Sequence, residues 1–422
     1  MLSQTKLPQL FDSACESKLP KLGLSRSRVL RKIFSLDDLA KYAEQVIPRP
    51  IFGYVASGAD RSASIEANRQ AFNDLAFLPK ILIDTSNRHQ KTTLFGNTYD
   101  TPFGIAPMGG TTLAAYQGDL ILARGAKQAN IAMILSGASL TPLETIHQAC
   151  PHAWFQAYLP GDPLAIENLL SRVTQAGYKT LVLTVDVPVD SNLELGIRSG
   201  FKKPFTPNFR LAWDFATKPR WLFTMLLRTL IFHGMPHVEN LSTPRTPIIA
   251  FSKSRERRKL DQLAWEHLAL IRRLWKGNLV VKGVLNPEDA RTLCDYGADG
   301  IIVSNHGGRQ LDHVISPLRA LPGIVAKAGH MTVMLDSSVR RGTEVLKALG
   351  MGAKFVFIGR PFLYGAAIGA QAGVNHVVQL LRDEIDRDMA LLGINSVSEM
   401  TAERLVEAHR FIELAKAGDN LR

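Results

Sequence analysis

Cysteine is scarce in this chain: three in 422 residues, Cys15, Cys150 and Cys294. Their wide separation leaves no metal-type spacing and no disulfide framework, which suits a reducing compartment. No metal site is expected. No apolar run reaches the roughly 18 residues that a membrane-spanning helix needs. A signal-peptide core followed by a small-residue cleavage site is also missing, so a cytoplasmic location is the expectation. The sequence has no zinc-finger spacing and no RNA-binding aromatic motif, and nucleic acid is not expected as a partner. Nor does a G-x-G-x-x-G turn follow the first strand, which counts against an open dinucleotide-binding sheet.

Hydrophobic residues are plentiful at 46%, ample for a large core. The net charge of +12 is unevenly spread. Residues 202–259 hold 12 Lys+Arg against 3 Asp+Glu, and residues 1–34 hold 7 against 2. The basicity therefore belongs to two appendages, a basic N-terminal arm (1–34) and an insertion (198–262). An anionic membrane surface is a fitting partner for such patches.

From residue 100 onward short apolar runs alternate with helix-length segments. The runs are "PFGIAP" (102–107), "AMILSG" (132–137), "WFQAYL" (154–159), "TLVLTVDV" (180–187), "LVVKGV" (279–284), "GIIVSN" (300–305), "TVMLDS" (332–337) and "FVFIGR" (355–360). They are nearly continuously apolar, as buried parallel strands are. Eight strands separated by helices such as 117–129, 163–176, 287–296 and 342–349 predict an α/β fold, a closed (β/α)8 barrel. An open doubly wound sheet is the alternative. Residues 35–80, opening with Ser35 as N-cap and Asp37 and Asp38 in the first turn, predict a helical segment ahead of the barrel. Residues 401–422 read as a helical tail.

Polar residues gather at one end of these strands, the face where barrels place their active sites. The first run ends in Pro107, Met108 and Gly109; the second carries Ser136, and the third Gln156 and Tyr158. Thr184 and Asp186 follow in the fourth and Lys282 in the fifth. Ser304, His306 and Arg309 close the sixth, Asp336 the seventh, and Gly359 and Arg360 the eighth. The loops "DSSVRRG" (336–342) and "GRP" (359–361) offer small residues, Ser337 and Ser338, with Arg340 and Arg360 for bidentate phosphate contact. A cofactor ending in one phosphate, such as FMN, would fit them. Lys282 is then placed to stabilise negative charge on a reduced flavin, and Gln156, Ser136 and Thr184 to hydrogen-bond its ring. In "SNHGGRQLD" (304–312), His306 is a candidate general base, Asp186 its orienting partner and Arg309 a carboxylate clamp. Tyr54 and Tyr158 add hydroxyl donors.

"SNHGGRQLD", with "YVASGAD", "ANRQAF", "IAPMGG", "LTVDVP", "VVKGV" and "FIGRPFLYG" in the same order, resembles the family of FMN-dependent L-2-hydroxy acid dehydrogenases and oxidases. L-lactate dehydrogenase, glycolate oxidase and mandelate dehydrogenase are among its members. The similarity covers roughly residues 35–400. It implies an FMN-binding barrel in which His306, paired with Asp186, takes the hydroxyl proton of the substrate. Tyr158 belongs with these catalytic groups and, with Tyr54, Arg309 and His306, with the substrate-binding ones. The resemblance assigns to FMN the residues Pro107, Met108, Gly109, Ser136, Gln156, Thr184, Lys282, Ser304, Asp336, Ser337, Ser338, Arg340, Gly359 and Arg360. It also implies a homotetramer.

The chain departs from the family pattern in places. Where the family usually has an Arg-Glu pair near the substrate carboxylate, this sequence has Leu193-Glu194; Arg198 aligns with a different arginine. Ala138 stands where glycolate oxidase has tryptophan, leaving room for a larger substrate side chain. Ser337 and Ser338 replace two glycines. The stretch "KPRWLFTMLLRTLIFHGMPHVENL" (218–241) resembles membrane-associated bacterial members, and its apolar core from Trp221 to Phe232 is suited to lie at a bilayer interface. The expectation is a dehydrogenase, peripheral on the inner face of the plasma membrane, that passes electrons to a quinone or another acceptor. A soluble oxygen-using oxidase, an FMN-dependent isomerase and a catalytically drifted FMN-binding barrel are the alternatives.

Overall fold

A computed structural model describes residues 26–201, 208–241, 245–248 and 259–408. Eight strands form one parallel sheet: β1 (Phe103–Ile105), β2 (Ile134–Ser136), β3 (Trp154–Ala157), β4 (Thr180–Thr184), β5 (Asn278–Val284), β6 (Gly300–Val303), β7 (Thr332–Leu335) and β8 (Phe355–Ile358). Each pairs with its sequence neighbour, β8 pairs with β1, and a parallel bridge from Ile105 to Met133 closes the ring. The closed barrel is the architecture expected, and the open sheet is excluded.

Helices α1 (Gly118–Ala129), α2 (Leu143–Ala149), α3 (Pro163–Gln175), α4 (Trp265–Leu274), α5 (Pro287–Asp295), α6 (Pro317–Lys327), α7 (Gly342–Gly350) and α8 (Arg360–Gly369) follow the successive strands. Local chemistry sets where they begin. Asp162 and Asn286 accept from the first backbone N–H groups of α3 and α5, each with proline at the first helical position.

Period-two alternation of the strands sorts their side chains into two cores. Phe103, Leu181, Leu183, Val281, Ile301, Val333 and Leu335 point outward and pack with the helices. Ile134, Trp154, Val182, Val280, Ile302, Met334 and Phe357 point inward and form a separate buried cluster. Stepping two residues on from these inward positions gives Ser136, Gln156, Thr184, Lys282, Ser304, Asp336 and Gly359 in turn. The barrel register therefore places polar side chains from six strands, with Gly359 from the eighth, in the layer above the apolar interior.

The opposite end of the barrel is closed by an antiparallel hairpin, Thr92–Leu94 with Asn97–Tyr99, which the sequence reading did not anticipate. Its Leu94 and Tyr99 join the inner cluster, and Phe95 packs beside them, 5.5 Å from Trp154.

Residues 35–80 form three helices, Leu36–Val46, Arg49–Ala56 and Ala63–Asn73. Asp38 accepts from the backbone N–H of Ser35 at 3.0 Å, as the cap signal indicated. The tail differs from expectation. Its described part is a short turn, Ala402–Arg404, and a strand, Leu405–Glu407, antiparallel to Leu75–Phe77. The two segments make a two-stranded sheet of their own, and this tertiary pairing overrides helix propensity. The remainder of the tail, and of the arm before residue 26, lies outside the described residues.

The insertion has a helix, Phe209–Ala216, then a continuous helical run from Pro219 to His233 whose middle, Leu222–Leu227, is a π-helix, then a short antiparallel pair, His237–Val238 with Thr246–Pro247. Trp221, Met225 and Thr229 lie on its buried side. The Trp221 indole donates to the Leu113 carbonyl at 2.8 Å, Lys218 donates to the carbonyls of Glu44 and Gln45, and Arg49 pairs with Asp214. The other side presents Phe209 (85% exposed), Trp213 (62%), Ile231 (73%) and Phe232 (64%) to solvent.

Candidate active site

A cavity of about 600 Å³ opens at the C-terminal ends of the strands. It brings together Tyr54, Pro107, Met108, Gly109, Tyr158, Lys282, His306, Arg309, Asp336, Ser337, Ser338, Arg340, Gly359 and Arg360 from the sequence-derived set. Ser136, Gln156, Thr184 and Ser304 are buried at the upper strand ends, and Asp186 stands behind His306.

The turn after β6 explains its own composition. His306, Gly307 and Gly308 all have left-handed φ, of 58°, 68° and 72°. Histidine in that region is uncommon and is held there by its surroundings. The His306 N–H donates to Ser304 Oγ at 3.0 Å and the Gly307 N–H to Ser337 Oγ at 3.0 Å. A β-carbon on Gly308 would lie 2.9 Å from the Ile65 backbone nitrogen, so the helical segment packs directly on the turn. Asp312, which ends the motif, accepts from the N–H groups of Ser64 and Ala63 and so caps the helix Ala63–Asn73.

His306 Nδ1 lies 3.0 Å from Asp186 Oδ1. Burial raises the Asp186 carboxyl, but His306 and Lys282 outweigh it and hold the group below the usual carboxylate value. An ionised Asp186 only accepts, so the Nδ1 proton is shared with it and Nε2 of a neutral imidazole is the basic nitrogen. The second Asp186 oxygen has no partner among the described residues. Gly283 makes room for this carboxylate: its φ is +103°, and a β-carbon there would lie 2.6 Å from Asp186 Cβ. Gly283→Ala is expected to cost about 2 kcal/mol or more in unfolding free energy and to push Asp186 off His306, lowering activity at least tenfold. Urea unfolding and turnover check this, and unchanged values in both would refute it.

The Lys282 ammonium is buried between Ser304 Oγ (2.8 Å) and Asp336 Oδ2 (3.1 Å). Gln156 Oε1 accepts from Ser136 Oγ at 3.1 Å and from the Gly137 N–H at 3.3 Å, which turns its amide nitrogen the other way. That nitrogen and the Thr184 hydroxyl are buried without a partner among the described residues. Native proteins rarely leave such groups unmet, and the edge of a heterocycle bearing carbonyl and ring-nitrogen acceptors would satisfy both. Nearby, Arg360 donates to the carbonyls of Val55, Gly307 and Ser57. Burial, then the charges of Arg309 and Arg340, press its guanidinium down to about 9. A phosphate dianion among these arginines would reverse that repulsion. The phosphate loop also accounts for the glycines replaced here, since Ser337 and Ser338 adopt φ of 91° and 64°. The residues present thus fit a flavin ring and one phosphate.

Arg309 occupies the expected place in an unexpected way. Its Nη1 donates to the carbonyls of Tyr54, Val55 and Ser57 at 2.8–3.0 Å, and its guanidinium lies 4.9 Å from the centre of the Tyr54 ring. Arg198 turns outward, 77% exposed, and pairs with Glu194. Leu193, by contrast, lines the cavity. Sequence reasoning missed Asn68 and Asn305, whose side-chain amides bond reciprocally at 3.0 and 2.8 Å and tie the helical segment to the β6 turn. Both sit inside the matched motifs "ANRQAF" and "SNHGGRQLD", which was the available signal.

The FMN-dependent dehydrogenase family matches residues 43–407. The (S)-mandelate dehydrogenase of Pseudomonas putida is 35% identical over 89% of this chain and 94% of its own length. An L-lactate dehydrogenase of Xanthomonas campestris pv. campestris (strain B100) is 36% identical over 90% and 98%. Among solved structures, a monotopic membrane protein (S)-mandelate dehydrogenase superposes with a TM-score of 0.84 at 35% identity, covering 89% of this chain and 99% of that one. A family match that spans the barrel, joined to a site that fits the cofactor, has one reading: the chain belongs to the FMN-dependent dehydrogenases and is an FMN-dependent 2-hydroxy acid oxidoreductase.

Proposed function

We propose that the chain oxidises an L-2-hydroxy acid bearing an apolar substituent larger than methyl to the 2-keto acid, at a membrane surface, and passes the electrons to a quinone. The His306–Asp186 pair at 3.0 Å, set in the cavity, carries the chemical part of this reading. His306 Nε2 takes the hydroxyl proton, and the ionised Asp186 stabilises the imidazolium that results. Arg309, Tyr54 and Tyr158 orient the substrate. Bound FMN supplies the two-electron acceptor. Gln156, Ser136 and Thr184 would hold its ring beside Pro107, Met108 and Gly109. Lys282, held between Asp336 and Ser304, would favour the reduced form. Ser337, Ser338, Arg340, Gly359 and Arg360 would hold the phosphate.

The substituent follows from the walls. Ala138, Leu140, Val187, Leu193 and Leu241 line the same cavity as Tyr158 with apolar surface. A methyl group would leave that space unfilled, whereas a phenyl or branched chain gains from burial. The membrane and the acceptor follow from the insertion. Its Val238, Leu241 and Ile248 border the cavity, and the same segment carries the exposed Trp213, Ile231 and Phe232. The monotopic neighbour supports this placement.

Anaerobic titration with L-lactate, (S)-mandelate and their D-isomers tests the reading. The flavin band should bleach with (S)-mandelate at a kcat/KM about tenfold or more above that for L-lactate. Colour should return fast with a soluble quinone and slowly with air. A yellow protein that no hydroxy acid bleaches would sink the proposal.

A further inference from the structure

Ser337 holds a φ of 91°, a conformation that strains a residue with a β-carbon and suits glycine. Such strain persists where the surroundings over-determine it, and the bonds of this side chain show how they do so. A hydroxyl can donate one hydrogen bond and accept two. Ser337 uses all three. Its Oγ donates to Asp336 Oδ1 at 3.0 Å and accepts from the N–H groups of Gly307 at 3.0 Å and Asn305 at 3.4 Å. A hydroxyl so filled has nothing further to offer a phosphate, and contact between Ser337 and a phosphate is left to its backbone N–H.

The two N–H groups that it meets flank His306. The His306 N–H goes to Ser304 Oγ at 3.0 Å, and the Gly308 N–H to Asn305 Oδ1 at 3.1 Å. Ser304 and Asn305 belong to the turn itself, whereas Ser337 reaches it from the end of the neighbouring strand β7. It braces from outside a turn that carries the base at a left-handed φ of 58°. The brace has its own anchor, since the other Asp336 oxygen lies 3.1 Å from Lys282 Nζ. Ser337 is buried, and in a site shielded from water such bonds hold their geometry closely.

We propose that the Ser337 hydroxyl is a positioning group for His306 and not a phosphate ligand: it fixes the turn so that the imidazole stays between Asp186 and the substrate hydroxyl. The proposal rests on the proposed function, because it acts through the same base. Ser337→Ala would take from Gly307, Asn305 and Asp336 one partner each. A displacement of the base by about 1 Å can slow the chemical step by about 10²-fold.

The test measures anaerobic flavin reduction by (S)-mandelate, the FMN dissociation constant and amide hydrogen exchange at Gly307, in the parent, Ser337→Ala and Ser337→Gly. Both variants should reduce their flavin about tenfold or more slowly at saturating substrate and exchange the Gly307 amide faster. Ser337→Ala should bind FMN and mandelate within about threefold of the parent. Ser337→Gly relieves the backbone, so it should need more urea to unfold than Ser337→Ala and still be slow. Repeating Ser337→Ala in a His306→Gln background separates positioning from general support. A residue that acts through the base should change the reduction rate less than about threefold there, because effects of groups that act as a unit do not add. An equal fall in both backgrounds would overturn the proposal. So would weakened FMN binding with an unchanged reduction rate, which would make the hydroxyl a phosphate ligand, or a parental rate in Ser337→Gly. A parent enzyme that no hydroxy acid bleaches would remove the proposed function and this role together.

Discussion

His306→Gln should bind FMN and substrate yet reduce its flavin about 10³-fold more slowly, within the 10²–10⁴ range of a positioned general base. Glutamine keeps a donor near Asp186 but has no basic nitrogen to take the hydroxyl proton. Stopped-flow reduction under anaerobic conditions reads the effect directly, and a loss below tenfold would mean that another group takes the proton. The variant should also be less stable at neutral pH, measured by urea unfolding across a pH series. A carboxyl held below its ordinary value contributes stability that is present above the unfolded value and lost as pH falls through the folded one. In Asp186 the depression comes from His306 and Lys282 working against burial. Without the imidazole, burial gains and the carboxyl rises, so this contribution at neutral pH should shrink and the fall of stability towards acid should be flatter than in the parent.

The triple variant Trp213→Ser, Ile231→Ser, Phe232→Ser should lose membrane affinity while keeping its chemistry. Full burial of each such side chain is worth about 1.5–3 kcal/mol, and an interface recovers part of that. A combined loss near 3 kcal/mol corresponds to a fall of about 100-fold in partition onto vesicles of phosphatidylglycerol and phosphatidylcholine. Turnover of the hydroxy acid with a soluble dye should stay within about twofold, because none of the three residues lines the cavity. Co-sedimentation with the vesicles measures the partition, and a variant that sediments like the parent would remove the insertion from the membrane reading.

The barrel and most of its site were legible because they depend on local pattern. A buried parallel strand is a short apolar run, and the first polar residue after the run marks the barrel's upper face. Lys282, Ser304 and Asp336 could be read this way, and they do form one buried cluster. Contacts distant in sequence could not be read. The Asn68–Asn305 pair joins residues that no periodicity relates. The three carbonyls that engage Arg309 come from a segment whose packing on the turn is a tertiary event. The helical reading does not hold over residues 405–407 for the same reason, since the strand there forms by pairing with 75–77. The π-helix at 222–227 has no signature in composition at all.

The bonds between the helical segment and the β6 turn bear on how a reactant arrives. Asn68 with Asn305, Asp312 with the N–H groups of residues 63 and 64, and Arg309 and Arg360 with the carbonyls of Val55 and Ser57 fasten the two pieces at several points. Swinging the segment away would break all of these at once and strand two guanidinium groups. The segment is a fixed roof rather than a door. The insertion also lines the cavity, through Val238, Leu241 and Ile248. On the proposed membrane placement, a hydrophobic reactant dissolved in the bilayer would meet these residues without first crossing open water.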